Sequence, residues 1–480
     1  MRRVQEFIKK KMVWIPILSL VLILTATIIY QTNKALPDGL SYEGDIYSVE
    51  NVQFLFDLNF ENKDGKRVNE QLIFPRIIEA IGEAEDFIVM DMFLFNSYHD
   101  GDKKYPDISG ELTDALIAQK KDNPDMEITV ITDRINSTYG SHSVPELEQL
   151  KENGIIVVFT ALIPLRDSNP IYSAFWRVFL QWFGQGGEGW LPNPLAKNAP
   201  DVTFRSYLDL MNIKANHRKV FVTEKKGIIT SGNPHNASGF HSNIAFEVNG
   251  PILADIVKTE QAVVDYSASR KLPSVKPGAK GSNSSIKAQV LTEGKIYKHV
   301  IKEINQANKG QTIWLGMFYL ADREVVNALK EAADRAVKVK MILDPNQNAF
   351  GSEKAGLPNI PVAAEFDKLG NENISIRWYN TGFEQYHPKL MYITGKENSV
   401  IIAGSANFTR RNLDDLNLET NLKIYGPEDS EVMRDVDGYF QKLWENKGAI
   451  YTHDYQTNEK LPALKYIIYR LQKLTQFTTY

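Results

Sequence analysis

The chain has 480 residues, of which 43% are hydrophobic and 24% charged, with 55 basic and 59 acidic side chains and no cysteine. This length is enough for more than one domain with its own buried core. The absence of cysteine excludes structural disulfides, thiolate nucleophiles and cysteine-based zinc or iron–sulfur sites. The formal net charge is −4; residues 1–33 carry +4, so the remainder carries −8. This negative charge disfavours an extended surface for nucleic acid, without excluding a local basic groove.

The first predicted element is an apolar helix near the N-terminus. Residues 12–30 carry no charged side chain and are rich in Ile, Leu and Val, and they would span roughly 28 Å as a helix, enough to cross the hydrocarbon core of a membrane. We predict an uncleaved anchor, because a secretory signal peptide, the alternative, has a shorter apolar region and a small-residue cleavage site. The basic segment 1–11 places the N-terminus in the cytoplasm and the rest of the chain outside.

One pattern of helices and strands then occurs twice. Each copy has a helix, a buried strand, a second helix and a second strand that ends in an aspartate. These segments are residues 77–84, 84–94, 111–121 and 128–133 in the first copy, and residues 300–307, 310–320, 324–336 and 339–344 in the second. Strand, helix and strand at this spacing indicate a βαβ unit. A period this long predicts a duplicated α/β domain.

The predicted division of the chain follows from this repeat. A first half over residues 46–268 and a second half over residues 287–450 flank a linker at 269–286 that is rich in Pro, Gly and Ser. The first half is the longer one because it carries an insertion at about 161–205. A basic amphipathic helix is predicted over residues 456–480.

The same polar motif occurs at matching places in the two copies. In each copy, His-x-Lys leads into a strand and Ser-x-Asn ends the next strand. The residues are His217, Lys219, Ser231 and Asn233 in the first half, and His387, Lys389, Ser405 and Asn407 in the second. Alternate residues of a strand point to one face, so the His and Lys of each motif would project together beside the Asn. One such motif could be solvated strand-edge residues, but two in matching positions favour a functional site.

These motifs resemble the signature of the phospholipase D superfamily, in which His-x-Lys is followed by an acid and by a Gly-Ser-x-Asn turn. The resemblance covers nearly all of residues 46–445 and is strongest at 404–409. The first half departs from the signature at Thr230, where the family has glycine. The family's motif aspartate is absent from both halves; Glu224 stands near its place in the first half and Thr394 in the second. The resemblance implies two mixed-sheet α/β halves related by pseudo-twofold symmetry, preceded here by one transmembrane helix, with the site where the halves meet.

The two histidines suit phosphodiester chemistry. One imidazole can attack the phosphorus while the other protonates the leaving alcohol, and the two lysines, serines and asparagines can hold the phosphate oxygens. The resemblance implies a phosphohistidine intermediate. We assign His217 as nucleophile and His387 as acid, although sequence symmetry leaves the two roles open. Glu419 is a candidate to orient an imidazole, and its first-half counterpart is Asn243. We predict no metal and no cofactor, since neither a zinc motif nor an acid cluster is present.

Aromatic residues are concentrated in the insertion. Trp176, Trp182 and Trp190 all lie there. Such a segment suits a membrane interface or a lipid acyl chain, and we take Trp176 and Trp182 as candidate substrate-binding residues. The alternative is an aromatic helix packed on the body of the domain.

The anchor, the insertion and the C-terminal segment together point to lipid. We predict a membrane-anchored phosphodiesterase or phosphatidyltransferase that acts on phospholipid. Cardiolipin synthases typically carry two N-terminal spans, whereas one is predicted here. Hydrolysis and a transfer like that of cardiolipin synthases therefore both stay open. The alternatives are a metal-independent nuclease of the same superfamily and a catalytically inactive binding protein. The predicted partners are phospholipid and the membrane; nucleic acid is possible, and no obligate protein partner is evident.

Overall fold

The structure is a computed structural model that describes residues 2–101, 103–275, 284–349, 352–455, 466–467, 469–472 and 478. The predicted amphipathic helix at 456–480 therefore lies largely outside the described residues. The central part of the predicted linker, residues 276–283, lies outside them as well.

The N-terminal apolar segment forms one long helix, α1 (Arg2–Asn33). Within it, Trp14–Asn33 is long and apolar enough to cross a membrane, and none of that stretch is buried against the protein. Among the described residues it is the one helix with this length and composition. Because a water-exposed apolar helix of this size would be unfavourable, the exposure agrees with the predicted anchor at residues 12–30.

The first half is built on a seven-stranded mixed sheet. The strands up to residue 248 are β1 (Tyr47–Ser48), β2 (Gln53–Phe56), β3 (Leu58–Glu61), β4 (Arg67–Glu70), β5 (Phe87–Met92), β6 (Glu127–Thr132), β7 (Ile156–Phe159), β8 (Lys219–Thr223), β9 (Gly227–Thr230) and β10 (Ile244–Val248). The order in the sheet is β2-β10-β9-β8-β5-β6-β7. Strands β5, β6 and β7 are parallel, whereas the other neighbours are antiparallel. Strands β3 and β4 form a separate hairpin.

The second half repeats this arrangement. Its strands are β11 (Lys287–Thr292), β12 (Thr312–Met317), β13 (Lys338–Leu343), β14 (Asn348–Ala349), β15 (Ser352–Glu353), β16 (Ile374–Tyr379), β17 (Lys389–Ile393), β18 (Ser399–Gly404), β19 (Thr420–Gly426) and β20 (Thr452–Asp454). The sheet order is β1-β11-β19-β18-β17-β12-β13-β16-β20. Without its outermost strands β1 and β20, this order matches the first sheet strand for strand. The predicted duplicated α/β fold is confirmed, and β1, from the start of the predicted first half, joins the second sheet.

Helices cover both sheets. The helices after α1 are α2 (Ile73–Glu83), α3 (Ile108–Asp122), α4 (Pro145–Glu152), α5 (Pro170–Phe175), α6 (Phe204–Leu210), α7 (Ile252–Ala268), α8 (Gly294–Gln306), α9 (Arg323–Asp334), α10 (Asn359–Asp367), α11 (Arg410–Leu413) and α12 (Glu431–Trp444). Helices α2, α3 and α4 share one core with the outer face of the first sheet, and α8, α9 and α10 share another with the second. The inner faces of both sheets, with α7 and α12, form the central core.

The period of two along each strand produces these layers. On β5, Val89 belongs to the central core, whereas Ile88 and Met90 belong to the outer one. On β8, Val220 belongs to the central core and Phe221 to the outer one. Strands covered on both faces are almost wholly apolar, which is why they appear in the sequence as short continuous hydrophobic runs.

Candidate active site

The two His-x-Lys motifs lie at the start of equivalent central strands. Lys219 is the first residue of β8 and Lys389 the first of β17, and each histidine lies two residues earlier. The following antiparallel strands, β9 and β18, return to the same edge of the sheet. The Ser-x-Asn segments begin directly after those strands, so the predicted hairpin geometry is confirmed in both halves.

The two halves meet through the backbone beside the histidines. His217 N donates to Leu418 O at 2.9 Å, and His387 N donates to Ser242 O at 2.8 Å. Each of these hydrogen bonds belongs to a short parallel bridge between a motif of one half and a loop of the other. Each backbone hydrogen bond thereby holds a histidine beside the next residue of the opposite half, which is Glu419 for His217 and Asn243 for His387.

His217 is paired with the carboxylate of Glu419, which comes from the other half. The Nδ1 atom of His217 lies 2.9 Å from Oε1 of Glu419 and 3.1 Å from Oε2. Ser405 Oγ donates to Oε2 at 2.5 Å, and the Asn412 amide donates to Oε1. Burial, opposed by the charge of Lys219, raises the pKa of Glu419 to about 8. Burial likewise lowers the pKa of His217 well below its usual value, so the site favours the uncharged imidazole that a nucleophile needs.

His387 is paired with a neutral amide in the equivalent position. Its Nδ1 atom lies 3.1 Å from Oδ1 of Asn243, which also accepts a hydrogen bond from Ser231 Oγ at 3.2 Å. Burial, followed by the charge of Lys389, lowers the pKa of His387 well below its usual value. Asn243 can orient this imidazole but supplies no negative charge to it. The two halves therefore have the same geometry and different electrostatics.

Both motif lysines are fully buried. Lys219 Nζ donates to His217 O at 2.8 Å, and Lys389 Nζ donates to His387 O at 2.6 Å. Burial lowers the pKa of Lys219 to about 7 and that of Lys389 well below its usual value. A bound phosphate would counteract this effect by stabilising the charged ammonium groups.

Each His–Lys pair also contacts one aromatic residue that the motif analysis missed. The ring centroids of Phe93 and Phe318 each lie 4.9 Å from the imidazole of His217 and His387, respectively. The ammonium groups of the lysines lie 5.1 Å from the same two rings. Phe93 follows β5 directly and Phe318 follows β12 directly. The sequence could have indicated these two residues, because they occupy matching positions in the repeat.

The aspartates that end the second strand of each repeat hold the motifs in place. Asp133 accepts a hydrogen bond from Asn216 N at 2.7 Å, and Asp344 accepts one from Tyr386 N at 2.6 Å. Asn216 and Tyr386 are the residues immediately before the two histidines. The sequence showed the acids at matching positions, but only the fold shows that they fix the backbone of each motif.

The motif asparagines are buried with an unpaired oxygen. Asn233 and Asn407 are 6% and 4% exposed. Within the described part of the chain, neither Oδ1 atom has a hydrogen-bond partner. Buried amide oxygens of this kind are normally satisfied, so both suit a hydrogen-bond donor such as an alcohol or a water, while the amide NH2 groups are the ones that can bind a phosphate oxygen.

One cavity of about 490 Å³ is lined by both histidines and both asparagines. Its wall also includes apolar residues of the insertion and of the segment that follows it, among them Leu195, Ala196, Leu210 and Met211. The volume is in the range of small-ligand sites. The cavity therefore combines polar groups at its base with an apolar wall.

The two candidate tryptophans do not line this cavity. Trp176 is 6% exposed and packs beneath the guanidinium of Arg205, 3.8 Å from its ring centroid. Trp182 is 74% exposed. The insertion thus packs one tryptophan on the body of the domain and exposes the other to its surroundings.

No metal site is evident in the described part of the chain. There, no group of three or more His, Cys, Asp or Glu side chains is arranged to hold a metal ion. The prediction of a reaction without metal or cofactor stays a prediction.

Comparison with known proteins agrees with this site and fold. The family described as "Cardiolipin synthase, PLD-like domain" matches residues 300–444. Cardiolipin synthase B of Escherichia coli K12 is 21% identical over 389 residues, which cover 76% of this chain and 77% of the relative. A probable cardiolipin synthase of Bacillus subtilis is 30% identical over 159 residues, covering 33% of this chain and 26% of the relative.

A solved structure shares the complete fold. The phosphatidylserine synthase of Haemophilus influenzae Rd KW20 superposes with a TM-score of 0.54 at 13% identity, covering 94% of this chain and 97% of that one. The paired motifs on one cavity, the duplicated fold and these relatives lead to one conclusion. The chain belongs to the phospholipase D superfamily and is a phospholipase D-like enzyme of the phosphodiesterase or phosphatidyltransferase type.

Proposed function

We propose that this chain is a membrane-anchored phosphatidyltransferase that acts on phospholipid. The observation that carries the proposal is the single cavity in which two histidines, each held by a residue of the other half, share an apolar wall. A phosphodiester headgroup fits the polar base of the cavity, and acyl chains fit its wall. The cardiolipin synthases among the relatives support the same class of substrate.

In the first step, Nε2 of His217 attacks the phosphorus and the bond to the leaving alcohol oxygen breaks. His387, whose protonated form is favoured by the bound phosphodiester anion, gives its Nε2 proton to that oxygen and becomes neutral, so the alcohol leaves neutral. The attacking imidazole gains positive charge, which the Glu419 carboxylate at Nδ1 stabilises. A neutral amide in the same place, as at His387, would stabilise that charge less. This difference supports His217 as the nucleophile.

In the second step, an acceptor alcohol or water attacks the phosphohistidine. Neutral His387 accepts the proton of that hydroxyl, and the phosphorus–nitrogen bond to His217 breaks. The lysine ammonium groups and the asparagine amides hold the non-bridging oxygens in both steps. These groups supply the positive charge that such a reaction needs, so we propose that it proceeds without metal.

The test uses the full-length protein, phosphatidylglycerol vesicles and EDTA, with lipid products identified by mass. We expect His217→Ala and His387→Ala each to abolish most turnover, and the double variant to be little worse, because both groups act in one catalytic unit. His453→Ala is the control, since His453 is exposed on the edge strand β20. Cardiolipin as the product would indicate transfer, whereas phosphatidic acid as the product would indicate hydrolysis. Full turnover by either single variant would contradict the proposal.

A second experiment tests the roles of the histidines directly. Quenching during turnover in denaturant at mildly alkaline pH, where the phosphorus–nitrogen bond survives, should leave a phosphatidyl group on the peptide that contains His217. A label on the His387 peptide instead would reverse the assignment, and loss of all activity in EDTA would refute the metal-free mechanism.

We propose that the N-terminus is cytoplasmic and that the catalytic body lies outside, on the basis of the basic residues before the span. The absence of native cysteine makes single-cysteine labelling unambiguous. A membrane-impermeant thiol reagent on intact cells should label Leu369→Cys, a half-exposed site in the second half, and not Gln5→Cys. The reverse pattern would contradict this topology.

A further inference from the structure

Large apolar side chains are exposed in the first part of the insertion and in the loop where it begins, over residues 163–183. Five of them are at least 47% exposed: Ile163 at 64%, Ile171 at 63%, Phe175 at 47%, Trp182 at 74% and Phe183 at 66%. These five residues are called the aromatic face below. Soluble proteins rarely expose so many large apolar side chains in one short segment, and such surfaces mark binding sites.

The aromatic face lies next to the end of the anchor helix. The backbone N of Asp167 donates to Gln31 O at 3.1 Å, and Arg166 Nε donates to Lys34 O at 2.9 Å. Lys34 Nζ in turn donates to Ile163 O at 3.2 Å. Helix α5, which carries Ile171 and Phe175, packs along α1. These contacts therefore hold the aromatic face beside the C-terminal end of the membrane-spanning helix.

The opposite side of the same segment belongs to the protein. Ser173 and Ala174 of α5 are buried, and so is Trp176. Residues 193–199 of the insertion contribute Asn193, Leu195 and Ala196 to the wall of the cavity. The segment thus has one side in the protein and cavity, and one exposed side beside the anchor.

We propose that the aromatic face is inserted in the membrane interface and binds the phospholipid bilayer directly. The span fixes its depth, because the residues that end the span are the ones bonded to this segment. Tryptophan and other large aromatic side chains are favoured at that depth. This inference extends the proposed function by identifying the bilayer as the partner of the insertion, so that the cavity wall is built from the same segment that contacts lipid.

The test labels one position on the face and one control position. In the otherwise cysteine-free chain, a nitroxide is attached at Phe183→Cys or at Leu369→Cys, which is 50% exposed and lies after α10 in the second half. The full-length variants are reconstituted in vesicles of phosphatidylglycerol and phosphatidylethanolamine. We expect collisions with oxygen, relative to a water-soluble nickel complex, to be several-fold more frequent at Phe183→Cys than at Leu369→Cys.

Equal access of the nickel complex to the two labels would overturn the proposal. Protection of the label would also overturn it if the unlabelled Phe183→Cys variant formed disulfide cross-links between chains, because a second copy would then cover the face. The measurement needs no turnover. A protected label on an inactive enzyme would therefore refute the proposed function alone, and an exposed label on an active one would refute this inference alone.

A kinetic experiment supplies an independent check. Replacing Phe175 and Phe183 together by serine should lower turnover of vesicle phospholipid severalfold. It should leave turnover of a monomeric, water-soluble short-chain phosphodiester unchanged, because neither side chain lines the cavity. Equal loss on both substrates would contradict a role at the membrane surface.

Discussion

Glu419→Gln separates the charge of the Glu419 carboxylate from its shape. The amide can keep Oε1 toward Asn412 and His217 and turn its NH2 group toward Ser405, so the imidazole retains an acceptor for Nδ1. What the variant loses is the ability of Glu419 to carry a negative charge, 2.9 Å from an imidazole that becomes positive in the first step of the proposed reaction. The substitution therefore tests charge stabilisation with little change in packing.

The expected loss follows from the strength of that contact. A hydrogen bond to a charged group contributes about 1.5–3 kcal/mol, and each 1.4 kcal/mol corresponds to about tenfold. We therefore expect kcat/KM on phosphatidylglycerol vesicles to fall by roughly 10- to 150-fold above about pH 8, where the Glu419 carboxyl is ionised. Asn243→Ala, which removes only a neutral acceptor from His387, should cost less.

Stability should respond in the opposite direction. Burial raises the pKa of Glu419 from its ordinary 4.5 to about 8. Between these values the folded chain holds a proton that the unfolded chain has released, so stability falls as the pH rises. Glutamine has no such dependence, and the thermal midpoint of the variant relative to the wild type should increase from about pH 5 to about pH 8.

Activity assays and thermal unfolding, run on the same preparations, decide between the explanations. Glu365→Gln is the control, because Glu365 pairs with Arg323 and Lys330 on the surface, away from the site. Unchanged activity of Glu419→Gln would refute the electrostatic role. A parallel loss of activity and stability would show that Glu419 acts mainly as a structural residue.

Three further predictions concern the groups around the site. Asn243→Asp places a carboxylate 3.1 Å from Nδ1 of His387, which should raise the pKa of that histidine and move the pH–rate profile by about 1–3 units; an unchanged profile, as expected for Asn243→Ala, would contradict this. Glu293→Ala leaves the buried guanidinium of Arg218, 2.7 Å away, without that partner, and should lower the free energy of unfolding in urea by about 3–5 kcal/mol; a loss below about 1 kcal/mol, typical of a surface pair, would refute it. Because burial lowers the pKa of Lys219 to about 7, the free enzyme loses this charge as the pH rises, and KM for an anionic lipid should increase from about pH 6 to about pH 8; a flat profile would contradict that charge loss.

The sequence predicted much of the fold because both copies obey simple periodicities. The buried strands at 84–94 and 310–320 appear as β5 and β12, and the motif residues lie where alternation along β8 and β17 places them. Duplication made the prediction stronger, since each copy tested the interpretation of the other. The order of the strands in the two sheets was not predicted and comes from the structure.

Contacts between distant segments were beyond the reach of periodicity. Phe93 and Phe318 look like ordinary ends of buried strands, and only folding places their rings against the histidines. Trp176 and Trp182 are six residues apart and chemically alike, yet one is buried and the other exposed. Composition identified the aromatic segment, but the side that faces the protein depends on tertiary packing.

The crossed pairing of the halves has a consequence for how the two copies could diverge. In a symmetric homodimer of one such domain, every substitution would occur twice, and both histidines would acquire the same partner. Within one chain, the position that faces His387 can become Asn243 while the position that faces His217 remains Glu419. Joining the copies therefore allows the surroundings of the two histidines, which we propose as nucleophile and proton donor, to be tuned separately, by mutations that each lie in the half opposite the histidine they affect.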